Sequence, residues 1–150
     1  MRNKSFPLII SLLVLALVSL ALAGGIGRKI HLDRSSHQMA LEITESLFRE
    51  RTLESLFRNG HSTLLQSTSE KQWQRYLDLL GRLGSLDYIH SITGRTTVPL
   101  LPDRGREILA GYDIDVQFSN SAADIAIDLI YERGSWKVAS YIVSSGLTDN

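Results

Sequence analysis

The chain has 150 residues, 43% of them apolar and 21% charged, which suits one globular domain with a modest core. Sixteen Lys+Arg balance sixteen Asp+Glu, so no basic excess draws the chain as a whole to nucleic acid. Cysteine is absent, which removes disulfides, thiolate catalysis, cysteine-ligated metal and a lipid-modified cysteine, and is compatible with an oxidising compartment.

At the N-terminus Arg2 and Lys4 precede the uncharged stretch FPLIISLLVLALVSLALA, residues 6–23. Two readings are open. As a signal peptide, it has a basic start, an apolar run from Leu8 to Leu20, and Ala21-Leu22-Ala23 as a small-x-small site with cleavage after Ala23. As an anchor, the uncharged run continues through Gly24-Gly25-Ile26-Gly27, 22 residues in all and long enough to span the hydrocarbon core. Arg28 and Lys29 then close it, and early positive charge in a mature chain is unhelpful for export, so the anchor is preferred. The flanking charges nearly balance and orient it weakly. Few residues precede the run, so the bulk of the chain is expected outside the cytoplasmic membrane. The expected organisation is an anchor or signal over 1–27, a linker over 28–35, an α+β domain over 36–145 and a tail over 146–150.

From Ser36 to Asn59 the apolar residues Met39, Ile43, Leu47, Leu53 and Phe57 form one stripe at helical spacing, with Asn59-Gly60 as the stop. Glu45/Arg49 and Glu54/Arg58 support a solvated outer face. A polar loop follows. Ser67-Thr68-Ser69-Glu70 then reads as a capping box opening a second helix, with Trp73, Tyr76, Leu77, Leu80 and Leu83 as its stripe and Gly84 as its end. Beyond Gly84 the period becomes two. Strands are expected over Leu86–Ile92 and Thr96–Leu100, then a turn at Pro102-Asp103-Arg104-Gly105, then runs over Ile108–Phe118, Ala123–Glu132 and Ser135–Val143.

A two-residue loop at Arg133-Gly134 would set Tyr131 opposite Trp136, Leu129 opposite Val138, Ile127 opposite Ser140 and Ile125 opposite Ile142. A four-residue loop at 119–122 would set Phe118 opposite Ala123, Val116 opposite Ile125, Ile114 opposite Ile127 and Tyr112 opposite Leu129. Both hairpins then share one apolar face, which two helices can cover, giving a two-layer α+β domain. The other face would carry Asp113, Asp115, Gln117, Asp124, Asp128, Lys137 and Tyr141.

Two helices followed by a curved antiparallel meander ending GSWKVASYIV resemble the cystatin-like, nuclear-transport-factor-like cone. More narrowly, GRLGS at 81–85, the Tyr112 strand and Gly134-x-Trp136-Lys137-Val138-Ala139-x-Tyr141 resemble a bacterial envelope family of unknown function, over about residues 70–143. Ser140 departs from it, standing where that family often has glycine. The resemblance implies a fold and an envelope location, but no activity. A single anchor before a cone-like domain is also similar in layout to the inner-membrane assembly factor of type IV secretion systems, which implies a scaffold role.

The common catalytic signatures are missing: no phosphate loop, no His-Glu-x-x-His and no Gly-x-Ser-x-Gly. His31, His37, His61 and His90 are not spaced as metal ligands, and neither a metal nor another cofactor is expected. Glu50 falls in the middle of the first helical stripe, where a carboxylate is costly unless paired or wetted. It could be a pocket acid or base facing Tyr88, His90, Tyr112 or Ser140 across a cone cavity, as ketosteroid isomerases place a carboxylic base. Alternatively the helix breaks near Arg49–Thr52 and turns Glu50 to solvent. Tyr112, Tyr131, Trp136 and Ser140 are candidates for lining a ligand pocket, although aromatics at such spacings usually form core. In the expected register Asp113 lies directly opposite Asp128, with Asp115 two residues along and Lys137 diagonal to Asp128 as a partial offset. Asp113, Asp115, Asp128 and Lys137 are therefore candidates for a docking surface for a basic partner or for a weak cation site, against the plain alternative of a solvated face. Residues 85–150 hold five Lys+Arg against nine Asp+Glu, a net −4 that turns this part away from nucleic acid.

The resulting expectation is a non-enzymatic envelope module, tethered to the cytoplasmic membrane through residues 6–27 and binding a protein partner or a small ligand. The alternatives are an acid–base enzyme with Glu50 as base and His90 or a tyrosine such as Tyr112 as its partner, and a cleaved, secreted ligand carrier. The domain would face the periplasm or the cell exterior.

Overall fold

The structure, a computed structural model, describes residues 6–99 and 107–145, with the side chains of 6–12, 18, 21, 22 and 70 outside that description. Its elements run α1 (Phe6–Glu50), α2 (Glu54–Asn59), α3 (Ser62–Ser67), α4 (Glu70–Leu83), β1 (Leu86–Thr97), β2 (Ile108–Phe118), β3 (Ala122–Glu132) and β4 (Ser135–Ser145). The strands make one sheet in the order β1-β2-β3-β4, every neighbouring pair antiparallel. The fold is therefore α+β with an antiparallel meander. The chain divides into two compact units, Met1–Leu32 and Asp33–Asn150, with the division inside α1.

In the first unit Leu13, Val14, Leu15, Leu17, Leu20 and Ile26 are all exposed on the helix. Among the described residues no helix is long and apolar enough to cross a membrane. The run expected as anchor or signal, and the cleavage site at Ala21-Leu22-Ala23, fall partly on side chains outside the description. Residues 28–35, expected as a linker, belong to α1.

In the second unit α1 buries Ser36, Ala40, Ile43, Thr44, Leu47 and Phe48, a stripe at three- and four-residue spacing. The helix stops at Glu50 because Arg51 adopts the left-handed conformation, φ 51°. The single helix expected to reach Asn59 is thus α1 and α2, which bury Leu53 and Leu56 between and within them and leave Phe57 exposed. The stretch expected as a polar loop holds α3, capped by His61, whose Nδ1 accepts from the Thr63 amide at 3.3 Å. The capping box of α4 is formed by Ser69 and Gln72 rather than Ser67 and Glu70. The Ser69 amide donates to Gln72 Oε1 at 2.7 Å and the Gln72 amide to Ser69 Oγ at 3.4 Å. Glutamine serves the third helical position as well as glutamate.

The end of α4 explains GRLGS. Gly84 has φ 91°, and a Cβ there would strike the Ser119 hydroxyl and the Asn120 side chain. This close approach lets the β2–β3 turn cap the helix: the Asn120 amide donates to the Leu83 carbonyl at 3.1 Å and its Nδ2 to the Arg82 carbonyl at 3.1 Å. Orphan carbonyls at the helix end are thereby satisfied.

β1 is one strand across the expected gap at 93–95. Gly94 marks no turn. It pairs with Tyr112, and a Cβ would collide with the Gly111 carbonyl and the Tyr112 ring. Register shifts interrupt β1 between Leu86 and Tyr88 and between Ile89 and Ser91. The turn expected at 102–105 lies outside the described residues.

The β2–β3 register differs by two residues from the expected one. The Phe118 amide donates to the Ser121 carbonyl at 2.9 Å, so the loop is Ser119-Asn120 only, and Val116 faces Ala123, Ile114 faces Ile125, and Tyr112 faces Ile127. A shift of two keeps every side chain on its expected face. The β3–β4 hairpin has the expected pairs Tyr131–Trp136 and Leu129–Val138, with φ 51° at Arg133 and 86° at Gly134 in its two-residue loop. Beyond Val138 a bulge at Ala139 moves the register by one. Tyr141, expected outside, is buried opposite Ile127, whereas Ile142, expected inside, is 55% exposed.

Phe118, Ile43, Leu47, Leu56, Ile114, Ile125, Ile127, Leu129 and Val138 are wholly buried on the inner side of the sheet and on the helices. Each such side chain contributes roughly 1.5–3 kcal/mol. Phe48 and Phe118 meet edge to face, ring centres 4.6 Å apart. At the β4 edge Gly60 bridges Val138, and the His61 amide donates to the Val138 carbonyl at 2.8 Å.

Candidate functional site

Most buried polar groups under the sheet hydrogen-bond to one another, whereas the buried hydroxyls of Tyr76 and Ser121 have no hydrogen-bond partner among the described residues. Tyr112, 4% exposed on β2, places its hydroxyl 2.7 Å from Ser36 Oγ and donates to the Asp33 carbonyl at 3.2 Å. Ser36 Oγ lies 3.0 Å from Thr96 Oγ1, and the Thr96 amide donates to Asp33 Oδ1 at 2.9 Å. Trp136 Nε1 donates to Ser35 Oγ at 2.9 Å, and the Tyr131 ring stands 5.1 Å from the Trp136 ring. Tyr112 and Trp136 thus fasten residues 33–36 of α1 to the sheet. Deeper along α1, Tyr141 donates to Thr44 Oγ1 at 3.3 Å. Burial holds both Tyr141 and Tyr76 in the phenol form well above the usual tyrosine range, and for Tyr76 the neighbouring Tyr141 adds to the effect.

The candidates for acid–base chemistry are not brought together. Glu50 is exposed as the last residue of α1, just before the left-handed Arg51. It lines an open groove with Glu42, Ser46, Glu54, Arg58 and Asn59. His90 is exposed in the second bulge of β1, its ring 6.3 Å from Tyr88, which is itself 57% exposed. Ser140 pairs with Asp128 in the outer row, away from the Tyr112 hydroxyl. Of the four proposed pocket residues, Tyr131 and Trp136 touch, Tyr112 is bonded elsewhere and Ser140 stands apart. The bulge in β1 accounts for the displacement of His90, whereas Glu50 lies on the last turn of α1 and is exposed at the helix end.

What the sheet presents outward is a ladder of short rows across its strands. One row is Thr97, Leu109, Ile130 and Lys137. The next is Arg95, Gly111, Asp128 and Ser140. A third is Thr93, Asp113, Ala126 and Ile142, and a fourth Ser91, Asp115, Asp124 and Ser144. The like charges directly opposite one another are therefore Asp115 and Asp124. The expected Asp113–Asp128 opposition is absent, because the two-residue shift sets Ala126 before Asp113 and Gly111 before Asp128. Asp115 accepts a hydrogen bond from the Ser91 hydroxyl. Lys137 does not offset Asp128: its Nζ reaches the Arg58 carbonyl at 3.4 Å. Leu109 and Ile142 are exposed beside the carboxylates, 45% and 55% respectively.

Asp124 and the exposed pair Leu109 and Ile142 were not singled out from the sequence as binding residues. The alternation itself carries the signal for Asp124 and Leu109, both outward positions of their strands, whereas Ile142 emerges only through the bulge. Among the described residues no group of three or more His, Asp or Glu is placed to hold a metal ion. Comparison with protein families, curated proteins and solved structures finds no match to this chain.

Proposed function

We propose that this protein is a non-enzymatic envelope module, tethered to the bacterial cytoplasmic membrane by residues 6–27 with its small cystatin-like α+β domain on the outer side, and that it binds a protein partner through the open face of its sheet. The observation that carries the binding half is the asymmetry of the sheet. Its inner face is filled by apolar side chains and hydroxyls that mostly hydrogen-bond to one another, whereas its outer face offers Asp113, Asp115, Asp124 and Asp128 together with exposed Leu109 and Ile142. Such a mixture of apolar groups and an excess of carboxylates over the two cations of that face, Arg95 and Lys137, suits a reversible protein contact. The tether rests on the uncharged run of 22 residues between the Arg2/Lys4 and Arg28/Lys29 flanks. The dispersal of Glu50, His90 and Tyr112 leaves the acid–base alternative without a shared site.

The test has two arms in a bacterial host. Alkaline phosphatase fused after Asn150 should be active, and the envelope-bound chain should keep the mass of residues 1–23. A photo-activated cross-linker at Ile142 should give one defined protein adduct that a cross-linker at Arg75, on the exposed side of α4, does not give. An inactive fusion, or identical adducts from both positions, sinks the proposal.

A further inference from the structure

We infer that the partner's contact segment is cationic, and that one of its arginine or lysine side chains seats in a shallow depression between β2 and β3. This rests on the partner-binding reading above and adds the chemistry of the partner. The depression encloses about 450 Å³ and is bounded by Thr97, Glu107, Leu109, Gly111, Asp128 and Ile130. It exists because Gly111 has no side chain in the outward row: a Cβ there would stand 3.3 Å from Asp128 Oδ1, so the Asp128 carboxylate leans over the glycine. Two carboxylates, Glu107 and Asp128, and the Thr97 hydroxyl supply acceptors, and Leu109 and Ile130 supply apolar walls. Arginine and lysine are the side chains that join an apolar stem to a cationic head, and they lay the stem on apolar surface while the head finds acceptors.

Among the described residues the charges already present leave this position open. Lys137 is turned to the Arg58 carbonyl, and among the described residues neither Arg95 nor Asp128 takes part in an ion pair. Asp113, Asp115 and Asp124 continue the same sign along the face in the next two rows. A segment with further basic residues therefore meets complementary charge beyond the depression, and an acidic one meets repulsion. A divalent metal is the poorer fit, since the walls are apolar and only two carboxylates reach the floor.

The probe is n-butylguanidinium, which copies the end of an arginine side chain, titrated into the isotope-labelled full chain in non-ionic micelles and followed by amide NMR. n-Butanol is the neutral control. The expected result is saturable movement of the Gly111, Asp128 and Ile130 resonances with butylguanidinium and little with butanol. Asp128→Asn should weaken the binding about fivefold, the upper range for an exposed ion pair. Gly111→Ala, which fills the floor and crowds the Asp128 carboxylate without removing its charge, should weaken it as well. Equal movement by butanol, unchanged in Asp128→Asn, would overturn the cationic inference while leaving an apolar partner contact standing. No movement by either probe would also overturn it, and the Ile142 cross-link then decides the partner reading on its own.

Discussion

Removing one oxygen from Tyr112 separates a structural role for this tyrosine from a ligand-binding one. Tyr112→Phe keeps the ring, its place opposite Ile127 and its edge contact with His37, whose ring centre is 5.7 Å away. What disappears is a hydroxyl between Ser36 Oγ at 2.7 Å and the Asp33 carbonyl at 3.2 Å. Each hydroxyl has one proton to give, so a consistent assignment has Tyr112 donating to Asp33, Ser36 donating to Tyr112 and Thr96 donating to Ser36. After the substitution Ser36 can turn its proton to the same Asp33 carbonyl, 3.1 Å away, so no buried acceptor is stranded. The cost should then be that of one to two neutral hydrogen bonds, about 1–2 kcal/mol. Ser36→Ala should cost more, about 2–3 kcal/mol, because the Tyr112 and Thr96 hydroxyls both lose a neighbour. Urea unfolding of the full chain in non-ionic detergent, followed by Trp fluorescence, reads the difference. With a slope of about 1.5 kcal/mol per molar urea, Tyr112→Phe should lower the midpoint by about 1 M. The Ile142 cross-link should persist in the folded variant. An unchanged midpoint, or a larger loss for Tyr112→Phe than for Ser36→Ala, would refute this account of the network.

Gly84→Ala combines a left-handed backbone with a collision against Ser119, and should cost more than about 2 kcal/mol in the same unfolding assay. Tyr76→Phe should be neutral or stabilise by up to about 1 kcal/mol, since among the described residues the buried Tyr76 hydroxyl has no hydrogen-bond partner to lose. Arg133→Asn should raise the thermal midpoint slightly, by about 0.5 kcal/mol of stability, because asparagine tolerates φ 51° better than arginine does. The alkaline limb follows from Tyr76 and Tyr141, whose burial raises their pKa values in the fold. Below about pH 10 both states are protonated and the full contribution is present; above it the unfolded chain ionises first, so stability falls as pH rises. Tyr141→Phe should flatten that fall, as measured by urea midpoints between pH 8 and pH 11.

The meander was legible in the sequence because period-two alternation survives errors of register. Val116 and Ile125 are not partners, yet both face inward as expected, since the β2–β3 slip is an even number of residues. An odd slip is what alternation cannot foresee. The bulge at Ala139 inverts the end of β4, carrying Tyr141 to Thr44 and Ile142 to solvent, and no glycine or proline announces it. Breaks in regular structure were also hard to place. Arg51 and Arg133 adopt left-handed conformations that glycine or asparagine would have advertised. Gly94, read as a gap between strands, is instead a close contact inside one. His90 stands outside for the same reason, since it reaches the inner face only along an unbroken strand, whereas Glu50 is exposed at the very end of α1. The acidic face needed no such precision, since Asp113, Asp115, Asp124 and Asp128 share a parity with the exposed side of their strands.

That face is not what a sheet built only for stability would present. Asp115 and Asp124 stand directly opposite one another, an arrangement that works against pairing by up to about 1 kcal/mol. The Ser91 hydroxyl relieves one carboxylate of the pair, but among the described residues no lysine or arginine is drawn in, and Lys137 spends its ammonium on a backbone carbonyl instead. Guarding against edge-to-edge association does not call for this charge, because β2 and β3 are the central strands and have no free edge. The edges carry their own protection: the Gly60–His61 bridge at β4 and the paired irregularities in β1. Four carboxylates in the middle of the sheet, beside an exposed leucine and isoleucine, are therefore placed where they repel one another and shield nothing. A cationic partner lying across the rows would turn that repulsion into attraction, which is the physical reason to look for one there rather than in the filled interior.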